Sequence, residues 1–326
     1  MQTALTRLLD LRLPIVQGGM SWVSRHRLAG AVSEAGALGV IGAATMNPDE
    51  LREEIRTLRG HTSRPFAVNV PLVLLRPDGG DRVPELIEVV LAEDVPIVIT
   101  GAGSPRRFTA ELKRAGRIVA HVVPSPEFAM KAHASGVDFV IAESTEGGGH
   151  VRAGGLATLS LVPQVVDAVP CPVVAAGGIA DARGVLAALA LGACGVQMGT
   201  RFIATRECEA HDAYKCAVTT AGSEAAVIYS RSHHASRGLD TPLVRRLVEL
   251  EEAGASQEEI AALRGRHRAR LGCVDGVVEE GILPAGSGVG LVRDRPTVAE
   301  LLEDVESGMK QVLIDLQAGT NEAYSQ

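Results

Sequence analysis

The stretch EGGGHVRAGG, Glu146 to Gly155, places His150 directly after Gly147, Gly148 and Gly149, with Gly154 and Gly155 close behind. Glycine lacks the Cβ that keeps other molecules away from a backbone, so five glycines around one imidazole point to a close approach by something large. An imidazole titrates near neutrality and can serve there as general base or hydrogen-bond donor. The bland alternative is a loop histidine in solvent.

Two further clusters suit an anion. AAGGIADARG (175–184) sets Gly177 and Gly178 between an apolar run and a helical pattern, and MGTRF (198–202) adds Gly199 and the Thr200 hydroxyl. Backbone N–H groups at such a turn can surround a phosphate, and a helix dipole favours its charge. In QGGM (17–20), Gly18 and Gly19 ahead of Met20 let the backbone lie flat against a planar ring, or simply make a tight turn. Asn69 can bond a ring or a sugar-like chain, or cap a turn; Glu143 can accept from ligand hydroxyls, or sit on the surface. His233 and His234 in YSRSHHASR read as exposed, and His211 reads as structural. GSGVG (286–290) follows no strand and is followed by no ribose-binding acid, so it reads as a turn. No GxSxG, HExxH or Walker pattern occurs.

These residues sit at the ends of recurring units. Eight apolar, β-branched runs, LPIVQ (13–17), LGVIG (38–42), FAVNV (66–70), PIVIT (96–100), IVAHV (118–122), VDFVIA (137–142), PVVAA (172–176) and GVQMG (195–199), alternate with helical patterns. Continuous apolar runs are expected of parallel strands buried on both faces. Eight strand–helix units are the number that closes a (β/α)8 TIM barrel, in which the active site lies at the strands' C-terminal ends and phosphate binds after strands seven and eight. An open doubly wound sheet is the other arrangement. Residues 221–284 carry charged helical segments without a strong strand, which predicts a helical cap. The barrel then comprises residues 1–220 and 285–326, with the last amphipathic stretch packing back on it.

The composition sets bounds. A chain of 326 residues, 46% hydrophobic, can bury one large core, and its net charge of −7 with one Trp, three Tyr and five Phe gives neither the basic footprint nor the stacking rings of a nucleic-acid binder. The start, MQTALTRLLDLRLP, reads as folded sequence and not as a signal peptide, and no membrane-spanning run occurs. Five cysteines without a CxxC pair suggest no metal site and no disulfide framework. The expected compartment is the cytoplasm, the expected partner a small molecule, and a homodimer is left open.

QGGMSWV, TGAGSP, HVVPS, IAESTEGGGH, AAGGIADARG, ALALGACGVQMGTRF and EGILPAGSGVGL together resemble the FMN-dependent barrel enzymes that include bacterial nitronate monooxygenases and the flavin-containing enoyl-[acyl-carrier-protein] reductases. The resemblance spans about residues 10 to 310. It implies FMN at the barrel mouth, with the phosphate on Gly177, Gly178, Gly199 and Thr200, the isoalloxazine along Gly18, Gly19 and Met20, and polar contacts from Asn69, Glu143 and Gln197. Gly149 and His150 then match the family's loop beside the flavin. The implied activity is oxidation of alkyl nitronates by O2 to carbonyl compounds and nitrite. The alternative is reduction of an enoyl thioester with NAD(P)H, favoured by TGAGSP, HVVPS and IAES, and a third possibility is flavin binding without turnover.

Overall fold

The computed structural model describes residues 1–74, 80–231, 235–265 and 267–319. Its strands are β1 (Ile15–Gln17), β2 (Gly39–Gly42), β3 (Phe66–Pro71), β4 (Ile97–Gly101), β5 (Ile118–Val123), β6 (Phe139–Glu143), β7 (Gly149–His150), β8 (Val173–Ala176), β9 (Gly195–Met198), β10 (Ala226–Tyr229) and β11 (Ser236–Leu239). The helices are α1 (Ala4–Leu9), α2 (His26–Glu34), α3 (Pro48–His61), α4 (Val83–Ala92), α5 (Thr109–Arg114), α6 (Pro126–Ala134), α7 (Thr158–Ala168), α8 (Ala182–Ala190), α9 (Thr200–Ile203), α10 (Asp212–Thr220), α11 (Pro242–Glu252), α12 (Gln257–Arg264), α13 (Arg268–Cys273) and α14 (Val298–Ala318).

Eight strands pair in parallel in the order β1-β9-β8-β6-β5-β4-β3-β2. A parallel bridge from Val16 to Leu38 joins the two ends. The result is a (β/α)8 barrel, and each of the eight apolar runs supplies one strand. Local chemistry sets the helix starts. Asn47 caps α3 with its side chain while Glu50 returns a bond to the Asn47 amide, and Pro48 occupies the first turn, where its missing N–H costs nothing.

The barrel interior is filled by Val16, Leu38, Val40, Ala67, Ile97, Ile99, Ala120, Phe139, Ile141, Val174 and Ala176, closed at the bottom by Leu5, Leu9 and Leu11. The opening residues of the chain thus form the plug α1, against which Gly195 packs so tightly that a Cβ would lie 2.5 Å from Leu5. A fully buried leucine contributes about 1.5–3 kcal/mol, enough for Leu5 and Leu9 to hold a six-residue helix that would be marginal alone. Side chains alternate along a strand, so the inward positions one step above this filling are Gly18 after Val16, Asn69 after Ala67, Glu143 after Ile141 and Gln197 after Gly195. Polar residues that sequence alone could not orient therefore form one layer over an apolar floor.

The opposite face of each strand packs on the helices, and there His121 is only 3% exposed and hydrogen-bonded to Thr100 Oγ1 at 2.7 Å. Burial lowers its pKa to about 4. The unfolded chain therefore binds a proton that the folded one refuses between about pH 6.5 and pH 4, so this group's contribution is complete above pH 6.5 and is lost as pH falls through that window. The expected loss is about 3 kcal/mol. Denaturant titrations between pH 7 and pH 4 should show a shallower decline for His121→Gln than for the wild type; equal slopes would contradict this account.

The 221–284 segment is less helical than its sequence predicts. Besides α11, α12 and α13 it contains β10 and β11, which form an antiparallel sheet with β7 of the His150 loop. Tyr229, Leu243, Val244, Leu247, Ile260 and Ile282 give it a small apolar core of its own. The two strands went unread because charged periodic helices flank them and four residues are too short to register as a period. The last helix, α14, packs on α8 and α2 as its amphipathic pattern predicts. Among the described residues no helix is long and apolar enough to cross a membrane.

Candidate active site

One wall of the barrel mouth is built from backbone. The buried Gln17 amide accepts from Val40 N–H at 3.0 Å and donates to Ser24 Oγ at 2.7 Å and to the Gly18 carbonyl. Gly18 N–H donates to the Met198 carbonyl at 2.8 Å. These bonds fix Gly18 and Gly19 against the neighbouring strands. A Cβ on Gly19 would lie 2.5 Å from Asn69 Cβ, and one on Gly18 would meet Gln197 Cγ at 3.6 Å. A Cβ on Gly199 would in turn meet Met20 Sδ at 3.6 Å. Gly18, Gly19, Met20, Asn69, Gln197 and Gly199 are thus brought together. Trp22 closes the same loop at φ 71°, a left-handed conformation that is costly for a bulky residue and recurs at functional sites.

Glu143 stands across the mouth. It keeps some surface open to solvent, yet protein atoms crowd its carboxyl, and this desolvation raises its pKa to about 7. Among the described residues none donates a hydrogen bond to it. A half-buried carboxyl without a protein partner at a barrel mouth suits ligand hydroxyls.

Beyond Glu143 the chain makes a knot of polar contacts. Ser144 Oγ bonds Thr158 Oγ1 at 2.7 Å, Thr158 Oγ1 donates to the Gly177 carbonyl at 2.8 Å, and the Glu146 carboxylate accepts from Thr158 N–H at 2.7 Å. Gly177 has φ 108° and Gly178 φ 71°, so both occupy conformations that favour glycine. Any Cβ on Gly177 would be driven into Ser144 Oγ. The backbone around Gly177 and Gly178 is therefore partly exposed and pinned by Ser144 and Thr158. Thr200 Oγ1 accepts from Gly286 N–H at 2.9 Å, which leaves its own proton to donate.

One expectation changes. The dipole of the helix after AAGGIA was to assist an anion, but Asp181 caps α8 by accepting from Arg183 N–H at 2.9 Å and Gly184 N–H at 3.2 Å. The free end of that helix is already taken by a carboxylate. What remains for a phosphate is the glycine backbone itself with the Gly199–Thr200 turn.

His150 is exposed on β7, directly opposite Ser236 of β11, and Val151 N–H donates to the Ala235 carbonyl at 2.9 Å. Gly149 beside it has φ 82° and open space where a Cβ would point. His211 is structural, as expected: its Nδ1 accepts from Ala213 N–H at 3.1 Å and caps α10. His233 and His234 lie outside the described residues.

Sequence reading missed the second layer. Ser287–Leu291 is a short 3₁₀ turn, as GSGVG predicts, but it is not remote from the site. A Cβ on Gly288 would lie 2.7 Å from the Gly178 carbonyl, and Ser287 N–H donates to the Glu146 carbonyl at 3.0 Å. Gly42 is reserved likewise, since a Cβ there would lie 2.8 Å from the Met20 carbonyl. The available signal was the glycine spacing of EGILPAGSGVGL, which acquires meaning only once its partner loop is known.

Comparison with known proteins gives a consistent picture. The family model for nitronate monooxygenase matches residues 2–83 and 79–308. The chain is 35% identical to the (3aS,4S,5R,7aS)-5-hydroxy-7a-methyl-1-oxo-octahydro-1H-indene-4-carboxyl-CoA dehydrogenase of Mycobacterium tuberculosis, covering 94% of this chain and 95% of that one. Among solved structures it resembles FabK from Thermotoga maritima, with TM-score 0.91 and 39% identity over 98% of this chain and 99% of that one. It also resembles a nitroalkane oxidase from Streptomyces ansochromogenes, with TM-score 0.85 and 31% identity over 96% of this chain and 100% of that one.

Proposed function

We propose that this chain, which belongs to the nitronate monooxygenase family, binds FMN at the barrel mouth and oxidises alkyl nitronates to carbonyl compounds and nitrite with O2. It is an oxidoreductase of a flavin-dependent family. The observation that carries the reading is the layout of the mouth. A flat glycine wall, Gly18 and Gly19, faces Asn69 and Gln197, a carboxyl with no partner among the described residues stands at Glu143, and partly exposed backbone at Gly177 and Gly178 packs on the Gly286–Gly288 turn that also bonds the Thr200 hydroxyl. A planar ring, a polyhydroxyl chain and a terminal phosphate match these three surfaces in turn. FMN when bound supplies the electron-accepting ring, and the protein supplies position and electrostatics.

In this reading Gly18, Gly19 and Met20 hold the ring, Asn69, Glu143 and Gln197 bond its polar edge and chain, and Gly177, Gly178, Gly199 and Thr200 hold the phosphate. Gly149 keeps the loop backbone open, and His150 removes or holds the proton of the substrate's α-carbon. Residues 1–220 with 285–326 form the cofactor domain and 221–284 a cap over the substrate. All five cysteines are free, which fits a reducing cytoplasm.

Reduction of a thioester substrate with NAD(P)H is the second reading. It is favoured by the higher identities to the CoA-thioester dehydrogenase and to FabK, and by the TGAGSP, HVVPS and IAES stretches. Anaerobic mixing of the oxidised protein with a nitronate, NADH and NADPH in turn separates the two. Bleaching of the flavin by nitronate alone is expected, with negligible NADH oxidation in air. Rapid bleaching by a pyridine nucleotide followed by reoxidation with an enoyl thioester would replace the first reading by the second, and failure of all donors would leave flavin binding without turnover.

Glu143 gives a pH signature. Its carboxyl is protonated below about pH 7 in the ligand-free fold, and the ionised form, with both oxygens open to accept, is the stronger partner for ligand hydroxyls, so binding tightens as pH rises. Between pH 6 and pH 8 the affinity of the apoprotein for FMN should rise by about tenfold more in the wild type than in Glu143→Gln, which cannot titrate. The variant serves as the reference because ionisation of the FMN phosphate affects both proteins. Parallel pH profiles would remove Glu143 from the contact set.

A further inference from the structure

The loop that carries His150 has two anchors of different character. On the barrel side Glu146 accepts from Thr158 N–H through its carboxylate and from Ser287 N–H through its carbonyl, and these contacts also brace the Gly177–Gly178 turn. On the cap side β7 has only two residues, paired with Ser236 and Arg237 of β11. A strand so short cannot hold itself by its own ladder.

Arg237 supplies what the ladder lacks. Directly opposite Gly149, it donates from Nε to the Thr145 carbonyl at 2.9 Å and from Nη1 to the Ala226 carbonyl at 2.8 Å. One rigid fork thus joins the loop after β6 to the start of β10. A half-buried guanidinium cannot shed its proton, so it needs such partners; burial disfavours its charge, and the nearby Glu146 offsets that only in part. β11 is itself fixed from behind, since a Cβ on Gly238 would lie 2.8 Å from the Leu283 carbonyl and Leu239 N–H donates to that same carbonyl at 2.8 Å. Arg237 therefore pulls the loop towards a stationary element.

We propose that Arg237 is a positioning residue for His150, clamping residues 144–151 to the cap so that the imidazole is held at one place over the barrel mouth. The inference rests on the reading of His150 as the group beside the substrate. Because the bonds of Ser144 and Glu146 to Thr158 and of Glu146 to Ser287 do not involve Arg237, the brace on the Gly177–Gly178 turn stays in place without it, and its effect is separable from cofactor retention.

The test uses the FMN-loaded full chain carrying Arg237→Met, with Arg237→Lys as the milder variant, because an ammonium keeps the charge but cannot span both carbonyls in the same fork. Amide hydrogen exchange over residues 144–151 is expected to accelerate about 10- to 100-fold in Arg237→Met, the weight of charged hydrogen bonds, with Arg237→Lys in between. FMN content and exchange in the barrel strands should stay unchanged, and kcat should fall with little change in KM. Unchanged exchange over 144–151 would overturn the proposal, as would acceleration spread through the barrel with loss of FMN. Absence of nitronate turnover in the wild type would sink the functional reading instead, and the loop exchange would still decide whether Arg237 holds the loop.

Discussion

Replacing Gly178 by Val is expected to give a folded protein that no longer retains FMN. At φ 71° the backbone of Gly178 lies where a β-branched residue is a genuine outlier, at a cost of about 1–3 kcal/mol. The structure directs the new Cβ towards the Glu146 carboxyl, 3.4 Å away. The turn can relieve this only by rotating its backbone amides or by displacing Glu146, and on the far side the Gly288 backbone packs closely against its carbonyl. Either route spoils the cradle proposed for the phosphate. Affinity should fall by about 10- to 100-fold from the strain alone, enough to lose the flavin on purification. Flavin absorbance per mole of protein, with circular dichroism to verify folding, measures it. Full occupancy in a folded variant would place the phosphate elsewhere.

The barrel was legible because its strands carry a redundant signal. Each is an apolar run buried on both faces and separated from the next by a helical pattern. The candidate site could be nominated where position and composition agreed, at Gly18, Gly19, Gly177, Gly178 and Gly199, each a glycine just past a strand end where a backbone can be approached closely or turned tightly. Asn69, Glu143 and Gln197 could be nominated but not oriented; only the alternation above Ala67, Ile141 and Gly195 turns them inward. The contacts that hold the site rigid were not legible. Thr158, Ser287 and Arg237 act on residues 14, 141 and 92 positions away, and a single chain read in order carries no mark of such pairings. The cap sheet escaped for a related reason, because β7 is two residues long and exists only through its pairing with β11.

His150→Ala should retain FMN and lose turnover of neutral nitroalkanes by about 10²–10⁴-fold, the usual worth of a positioned general base. Retention is expected because the surfaces proposed for the cofactor are built from other strand ends, whereas His150 stands exposed on β7, on the cap side of the mouth. The loss should be smaller for preformed nitronates, whose α-proton has already gone. This contrast distinguishes a base from a residue that merely orients the substrate, since orientation matters to both substrates alike. The glycines on either side bear on the comparison. Gly149 at φ 82° and the Gly147–Gly148 pair against Ala285 and Gly286 keep the loop backbone close to the turn at Gly178, so truncating His150 removes an imidazole without releasing the chain that carries it. Steady-state rates for a nitroalkane and its nitronate, each measured on wild type and variant at one pH, give the ratio. Equal losses on both substrates would assign His150 to orientation, and no loss on either would move the proton transfer to another group.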